Sequence, residues 1–180
     1  MVISLQLKES EFKHTMDHGS LISLMGETSV ETIHQCLKDQ TNFMGCYSST
    51  NLPQFPKHLP CSLIINVKTN AVKHWVGLLL THAECFFFDS LASDDGLNED
   101  ILFFLAMQYK FIYYNRLAIQ HFESETCGLF CCAFIMSVKD GFSFKDFLKR
   151  FDAFRLQRND KIAIDIVRNY YDKCIYSYNK

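Results

Sequence analysis

The pattern of apolar and polar residues changes period along the chain, and its first helical stretch begins near residue 28. Thr28 and Glu31 have the spacing of a capping box, in which two side chains satisfy the first N–H groups of a helix. An apolar stripe follows at helical spacing, formed by Val30, Ile33 and Leu37. The pattern therefore predicts a helix with Thr28 as its N-cap. Upstream, residues 2–7 alternate like an edge strand, and residues 8–27 are expected to form a loop.

A period of two replaces the helical period after a proline-rich stretch. Residues 45–60 contain all three prolines of the chain together with Ser and Asn, which predicts a long loop. Short turns are expected at residues 69–70 and 82–84. The apolar segments around them predict three strands, at residues 61–67, 74–80 and 85–89. Because the first two of these strands are apolar on both faces, helices are expected to cover the sheet.

The second half of the chain is mostly helical in pattern. Residues 97–108 predict a helix capped from the segment 93–96, and residues 117–120 predict a short strand. Residues 127–138 are apolar on all sides, which predicts a central, buried helix that ends near Gly141. Two amphipathic helices complete the pattern, with apolar stripes at Phe144, Phe147, Leu148 and Phe151 and at Ile162, Ile166 and Tyr170.

This order of elements predicts one α+β domain over residues 1–180, with a mixed, mostly antiparallel sheet and helices packed around it. With 48% hydrophobic and 14% aromatic residues, the chain can bury a sizeable core, which excludes a disordered protein. A formal net charge of -2 argues against strong nucleic-acid binding. Because no apolar run reaches the roughly 20 residues of a membrane span, no membrane association is expected.

The chain has eight cysteines, at positions 36, 46, 61, 85, 127, 131, 132 and 174. Several of them lie in apolar segments, where a free cysteine behaves as a small hydrophobic residue. The first ten residues lack the features of a secretory signal. We therefore expect free thiols in a reducing, intracellular compartment.

Cys127 is the strongest candidate for a reactive residue. It opens the predicted buried helix, and the N-terminal end of a helix dipole stabilises an anion such as a thiolate. Gly128 places no side chain beside the sulfur, so a substrate backbone is expected to approach closely there. The alternative is a structural cysteine of the core. That interpretation is favoured for Cys131 and Cys132, which lie one turn into the helix.

Three polar residues upstream of Cys127 supply the other groups of a cysteine hydrolase. His74 would accept the thiol proton. Asp89 would orient the imidazole, because antiparallel pairing brings the start of one strand beside the end of the next. Gln120 would donate from its amide to the oxyanion, together with the Cys127 N–H. Each residue taken alone is more often an ordinary packed or surface side chain, but the ordered set of four favours catalysis.

Other chemistries lack their motifs in this sequence. The cysteines and histidine between His121 and Cys132 form no Cys-x-x-Cys pair, which argues against a metal site. Neither a glycine-rich phosphate loop nor a Gly-x-Ser-x-Gly elbow occurs. No metal and no cofactor are therefore expected.

The residues that carry this chemistry resemble the adenain family, the maturation proteases of adenoviruses, and the wider superfamily that includes the ubiquitin-like-protein (SUMO) proteases. The most specific string is Cys-Gly-Leu-Phe-Cys-Cys from Cys127, together with the seven-residue gap that separates it from Gln120. The His-Trp-Val-Gly string from His74 is similar as well, and so is the Phe-Asp pair ending at Asp89, where adenain has a glutamate and the SUMO proteases an aspartate. The likeness is strongest over residues 28–140.

This resemblance implies a papain-like or adenain-like fold in which His74 is the base, Cys127 the nucleophile, Gln120 the oxyanion donor and Asp89 the third member of the triad. It implies a viral maturation endopeptidase that cleaves capsid or other virion precursor proteins. An isopeptidase that acts on host ubiquitin-like modifiers is the first alternative, and a binding module without activity is the second. The compact chain fits a smaller relative of the adenoviruses, such as a virophage or a polinton-like virus.

The resemblance also bears on activators and location. Adenain is activated by DNA and by a short peptide that forms a disulfide with a cysteine upstream of the oxyanion glutamine. Residues 109–119, which correspond to that stretch, contain no cysteine, and the chain is acidic overall. The sequence therefore supports neither a peptide activator nor DNA as a cofactor. We expect a monomer that acts in the virion and in the virus factory of the host cell.

Overall fold

The computed structural model describes residues 27–68 and 73–178. The elements in these ranges are α1 (Val30–Leu37), β1 (Phe43–Ser48), β2 (Cys61–Lys68), β3 (Lys73–Leu80), β4 (Cys85–Phe88), α2 (Glu99–Ala106), β5 (Ile112–Tyr114), α3 (Cys127–Lys139), α4 (Phe144–Leu148) and α5 (Leu156–Tyr178). The strand predicted at residues 2–7, nearly all of the loop predicted at 8–27 and the turn predicted at 69–70 lie outside the described residues.

The strands form one five-stranded sheet in the order β1-β2-β3-β4-β5. The central strands β2, β3 and β4 pair antiparallel, whereas the edge strands β1 and β5 pair parallel with β2 and β4. Parallel edges require longer connections than hairpins do, and these connections contain the proline-rich loop and α2. The sheet is therefore mixed, and its combination with helices confirms the predicted α+β class.

The predicted boundaries before β2 are wrong in two places. Ser29, rather than Thr28, caps α1, because the Ser29 hydroxyl accepts from the Thr32 N–H at 3.1 Å. Part of the loop predicted at residues 45–60 belongs to β1, whose backbone groups are satisfied by parallel pairing with β2. Gly45 has a φ of +121°, and the pairing register is irregular at this point of the strand.

Two predictions after β4 are also wrong. Asn98, which follows the predicted capping segment, is the N-cap of α2. Residues 117–120 are not a strand, because the N–H groups of Ile119 and Gln120 both donate to the carbonyl of Ser90, at 2.8 Å and 3.0 Å. The fifth strand lies earlier in the chain, as β5, and continues the sheet beside β4.

Helices cover both faces of the sheet, as the apolar strands predicted. Successive residues of β2 alternate between two core clusters, one formed with α1, α3, α4 and α5 and one formed with α2. In the larger cluster, the ring of Phe134 on α3 lies 5.2 Å from that of Phe88 and 5.5 Å from that of Phe147. Ile101 and Leu105 of α2 are fully buried on the other face.

Within the described part of the chain, no helix combines the length and apolar content needed to cross a membrane.

Candidate active site

The antiparallel pairing of β3 and β4 brings His74 and Asp89 together. His74 is the second residue of β3 and Asp89 directly follows β4, in a register that pairs Gly77 with Phe88. Nε2 of His74 lies 2.6 Å from Oδ1 of Asp89, and the two residues are only 4% and 1% exposed. Because an ionised carboxylate can only accept, Nε2 carries the shared hydrogen and Nδ1 is left for a second partner.

Further donors hold the Asp89 carboxylate in place. The Leu91 N–H donates to Oδ1 at 2.8 Å, and Ser93 donates to Oδ2 from its N–H at 3.0 Å and from its hydroxyl at 2.8 Å. Asn115 accepts from the Asp89 N–H at 3.0 Å and donates to the Asp89 carbonyl. Burial opposes ionisation of Asp89, but the hydrogen bond and charge of His74, together with these donors, outweigh it and lower the pKa of the carboxyl.

Gly96 lies against the same carboxylate. A Cβ built at this position would lie 2.1 Å from Oδ2 of Asp89, far closer than a Cβ ever approaches a nonbonded oxygen. Any other residue at position 96 would therefore displace the carboxylate or the loop that carries it. The sequence did not reveal this role, because the segment 93–96 has the composition of an ordinary capping loop.

The charge state of His74 depends on its two neighbours. Burial disfavours the imidazolium, but hydrogen bonds and charge interactions with Asp89 and Cys127 outweigh this effect and raise the pKa of His74 to about 9. Asp89 uses Nε2, so Nδ1 is the ring nitrogen left for the thiol. At neutral pH the structure therefore favours a protonated His74 between two groups that can carry negative charge.

Cys127 is the first residue of α3 and lines a groove at the surface. It is 6% exposed, and it shares the groove, about 670 Å³ in volume, with His74 and Gln120. Its neighbour Thr126 is the N-cap but makes no side-chain capping bond. The first N–H groups of a helix have no intrahelical acceptor, and the dipole favours negative charge at that end. The sulfur thus lies at the end of α3 that the dipole makes positive, in the wall of a surface groove.

The other described cysteines lack this combination. None of the seven cysteines whose side chains are described forms a disulfide. Cys131 and Cys132 are fully buried, and burial raises the pKa of both thiols well above the usual value. Burial also raises the pKa of three further thiols, to about 12, 11 and 12, at Cys46, Cys61 and Cys85. Among the described cysteines, only Cys127 lines the groove that contains His74.

The side-chain amide of Gln120 is oriented from both ends. Its Oε1 accepts from the Ser90 hydroxyl at 2.5 Å, and its Nε2 donates to the Ser124 carbonyl at 2.6 Å. Because a carbonyl can only accept, the nitrogen end of the amide must face Ser124. The second hydrogen on Nε2 has no partner among the described residues, and Gln120 lines the groove beside Cys127.

The start of α5 holds the segment that leads into α3. Asn159, which is fully buried, donates from Nδ2 to the Ile119 carbonyl at 2.8 Å. Oδ1 of Asp160 accepts from the hydroxyls of Ser124 and Thr126, at 3.0 Å and 2.9 Å. Neither residue stands out in the amino-acid sequence. Adjacent Asn and Asp residues are common near helix starts, and nothing local indicates which distant segment they bind.

Thr28 connects two walls of the groove and leaves no room for a side chain at position 128. The Thr28 carbonyl accepts from Nε1 of Trp75 at 2.9 Å, and the Thr28 N–H donates to the Glu125 carbonyl at 3.3 Å. A Cβ on Gly128 would lie 2.8 Å from the Cβ of Thr28. The expectation that Gly128 leaves room for a substrate is therefore replaced by a packing role, since Thr28 occupies that space.

Comparisons with known proteins add no family assignment. The chain matches no protein-family model, and the search of curated proteins gave no match. The resemblance of the active-site residues to the adenain family is therefore put forward as part of a proposal.

Proposed function

We propose that this protein is a cysteine endopeptidase of the adenain type. The observation that carries the proposal is the shared groove that contains Cys127, His74 and Gln120, with Asp89 hydrogen-bonded behind the imidazole at 2.6 Å. These are the four groups that a cysteine hydrolase requires. A papain-like fold, with the nucleophile at the start of a central helix and the base on the adjacent sheet, accounts for this placement and is part of the proposal.

In the first half of the reaction, His74 already holds at Nδ1 the proton drawn from Cys127, and the Cys127 sulfur attacks as a thiolate at the carbonyl carbon of the scissile bond. Negative charge develops on the carbonyl oxygen. The free N–H of the Gln120 amide and the Cys127 backbone N–H donate to that oxygen. His74 then gives its proton to the leaving amine, the C–N bond breaks, and a thioester remains on Cys127.

In the second half, water hydrolyses the thioester. His74 accepts a proton from the water while the water oxygen attacks the thioester carbonyl. The oxyanion is stabilised by the same donors. When the C–S bond breaks, the acid product leaves. The positive charge of protonated His74 then again balances the negative charge of the Cys127 sulfur. Asp89 keeps Nε2 protonated throughout, so that Nδ1 always faces the reacting atoms.

The substrate in this proposal is a capsid or other virion precursor protein of an adenovirus-related virus such as a virophage or polinton-like virus. Support comes from the six-residue string that begins at Cys127 and from its seven-residue spacing to Gln120. The enzyme acts as a monomer in the virion and in the virus factory of the infected cell. An isopeptidase specific for ubiquitin-like modifiers would use the same four groups, so the substrate decides between the two functions.

The test uses purified wild-type protein and the Cys127→Ala variant. Each is incubated with the capsid precursor encoded in the same genome, and the products are resolved by mass spectrometry. We expect discrete fragments with the wild type and intact precursor with the variant. Intact precursor in both reactions would contradict the maturation function.

A second assay separates the alternatives. The wild-type protein is treated with a panel of ubiquitin-like vinyl sulfone probes, and adducts on Cys127 are identified by mass spectrometry. Labelling by one probe, without cleavage of the precursor, would assign the isopeptidase function. No labelling, no cleavage of the precursor and no hydrolysis of a diverse peptide library would indicate a binding module on this fold.

A further inference from the structure

Four carboxylates line the groove around Cys127, and they come from three separate segments of the chain. They are Glu27, Asp95, Glu123 and Glu125. The cationic side chains of the lining are Lys73 and His74, and His74 is matched by Asp89 behind it. Nζ of Lys73 lies 3.5 Å from Oε1 of Glu27, so the charges of these two side chains also cancel. The groove lining is therefore strongly negative on the segments 93–95 and 121–125.

The remaining three carboxylates lack strong partners. Asp95 and Glu125 are exposed and form no ion pair among the described residues. The one ion-pair contact of Glu123 is with Nδ1 of His121 at 4.0 Å, the limit of such an interaction. Like charges around one groove repel one another, and a cavity lined by one sign of charge raises the local concentration of ligands of the opposite sign.

An exposed aromatic ring completes the surface. Phe122 is 78% exposed, and it lines the groove immediately before Glu123. The stem of a lysine or arginine can lie on an apolar ring while its charged group reaches neighbouring carboxylates. A neutral or acidic side chain would gain only part of this interaction or would be repelled.

From these observations we infer that the groove selects peptide segments that carry lysine or arginine close to the cleaved bond, through Asp95, Glu123 and Glu125. The inference rests on the proposed peptidase function, because it assigns a substrate class to the same groove. It names specificity-determining residues outside the set that performs the chemistry.

The test compares quenched fluorescent peptide libraries that differ at one position at a time, with Lys or Arg, Gln, or Glu at that position. We expect kcat/KM to be roughly tenfold higher for the basic libraries than for the Gln libraries, since each exposed ion pair adds only a few-fold. The preference should shrink as salt is added, because these charges are exposed. Equal cleavage of all three libraries would overturn the inference and leave the peptidase proposal intact.

Variants locate the source of the preference. In the double variant Glu123→Gln/Glu125→Gln, the ratio of kcat/KM for the basic libraries to kcat/KM for the Gln libraries should fall most of the way to one. The matched control Asp39→Asn/Glu84→Gln removes the same charge from exposed sites outside the groove lining and should keep the preference. Loss of the preference in the control would show a general charge effect and contradict the assignment to the groove.

Binding provides a readout that does not need catalysis. The Cys127→Ala variant is titrated with the same fluorescent peptides, and their anisotropy gives the dissociation constants. If no library is cleaved, the peptidase proposal fails, yet tighter binding of the basic peptides would still support a cation-selecting groove. Equal binding of basic, neutral and acidic peptides would overturn the inference whether or not the protein cleaves them.

Discussion

Nε2 of His74 lies 2.6 Å from Oδ1 of Asp89 inside the protein, where the two residues are 4% and 1% exposed. A carboxylate that is removed from water persists as an ion only when it is paired and hydrogen-bonded. Leu91 and Ser93 supply the remaining donors. The pair therefore fixes which nitrogen of His74 faces Cys127.

Replacement of Asp89 by Asn should reduce peptide hydrolysis by roughly 10²–10⁴-fold, because the imidazole loses its partner and its fixed tautomer. Asp89 contributes to the raised pKa of His74, which is about 9, so the alkaline limb of the kcat/KM profile should move to lower pH in the variant. The measurement is the pH dependence of kcat/KM from pH 5 to 10. The control Asp146→Asn, which breaks an exposed pair with Lys149, should leave the profile unchanged.

The same pair should make stability depend on pH in a defined window. The pKa of His74 is raised to about 9 from 6.5, so its contribution is complete below pH 6.5 and is lost as the pH rises to 9. The pKa of Asp89 is lowered from 3.8, so its contribution is present above pH 3.8 and is lost as the pH falls further. The two contributions describe one interaction and are not added together.

The free energy of unfolding of the wild type should therefore exceed that of Asp89→Asn most clearly near pH 5–6, by at most about 3 kcal/mol. The difference should diminish toward pH 9. Urea denaturation of both proteins at pH 5.5, 7 and 9 provides the measurement. A difference that grows with pH would contradict the charged pair.

Substitution of Gly96 by Ala should impair both activity and stability, because the new Cβ would lie 2.1 Å from Oδ2 of Asp89. We expect a loss of about 1–3 kcal/mol in unfolding free energy, typical of overpacking. Catalysis should also fall, as the carboxylate moves away from His74. Thermal unfolding and kcat/KM should be compared with those of Asp94→Ala, an exposed residue of the same loop. A fully active Gly96→Ala protein would refute this role for the glycine.

Cys127 should react with iodoacetamide before any other described cysteine at pH 7. It lines an open groove beside His74, whereas burial raises the pKa of Cys46 to about 12 even though Cys46 is partly exposed. Mass spectrometry of tryptic peptides gives the extent of labelling at each site. His74→Ala should slow the labelling of Cys127 and leave that of Cys46 unchanged. Faster labelling of Cys46 than of Cys127 in the wild type would count against an activated nucleophile.

Loss of the Gln120 amide should lower kcat by roughly 10²–10³-fold with little change in KM, because the oxyanion forms only after attack. Gln120→Glu keeps the shape of the side chain but removes the N–H donors, and it should be as impaired as Gln120→Ala. Ser90→Ala removes only the bond to Oε1, so a smaller loss is expected. An increase in KM alone would indicate that Gln120 binds substrate rather than the oxyanion.

Local patterns were sufficient for most elements of this fold. The three central strands and the buried helix α3 were predicted because each depends on a periodicity of near neighbours. The meeting of His74 and Asp89 was predictable for the same reason, since a short connection between adjacent antiparallel strands fixes their relative position. The edge strands β1 and β5 were missed or misplaced, because parallel partners lie far away in the chain and leave no local signal.

The amino-acid sequence by itself determined the central strands and the buried helix and indicated the four candidate catalytic residues, since spacing and apolar runs act over a few residues. The tertiary structure alone decided what holds those residues in position. Asn115, Asn159 and Asp160 bind segments far from them in the chain. Gly96 and Gly128 are required because, in the folded protein, neighbouring side chains lie within 3 Å of the position that a Cβ would take. Such contacts depend on how distant segments meet, and that geometry is fixed only when the whole core is packed.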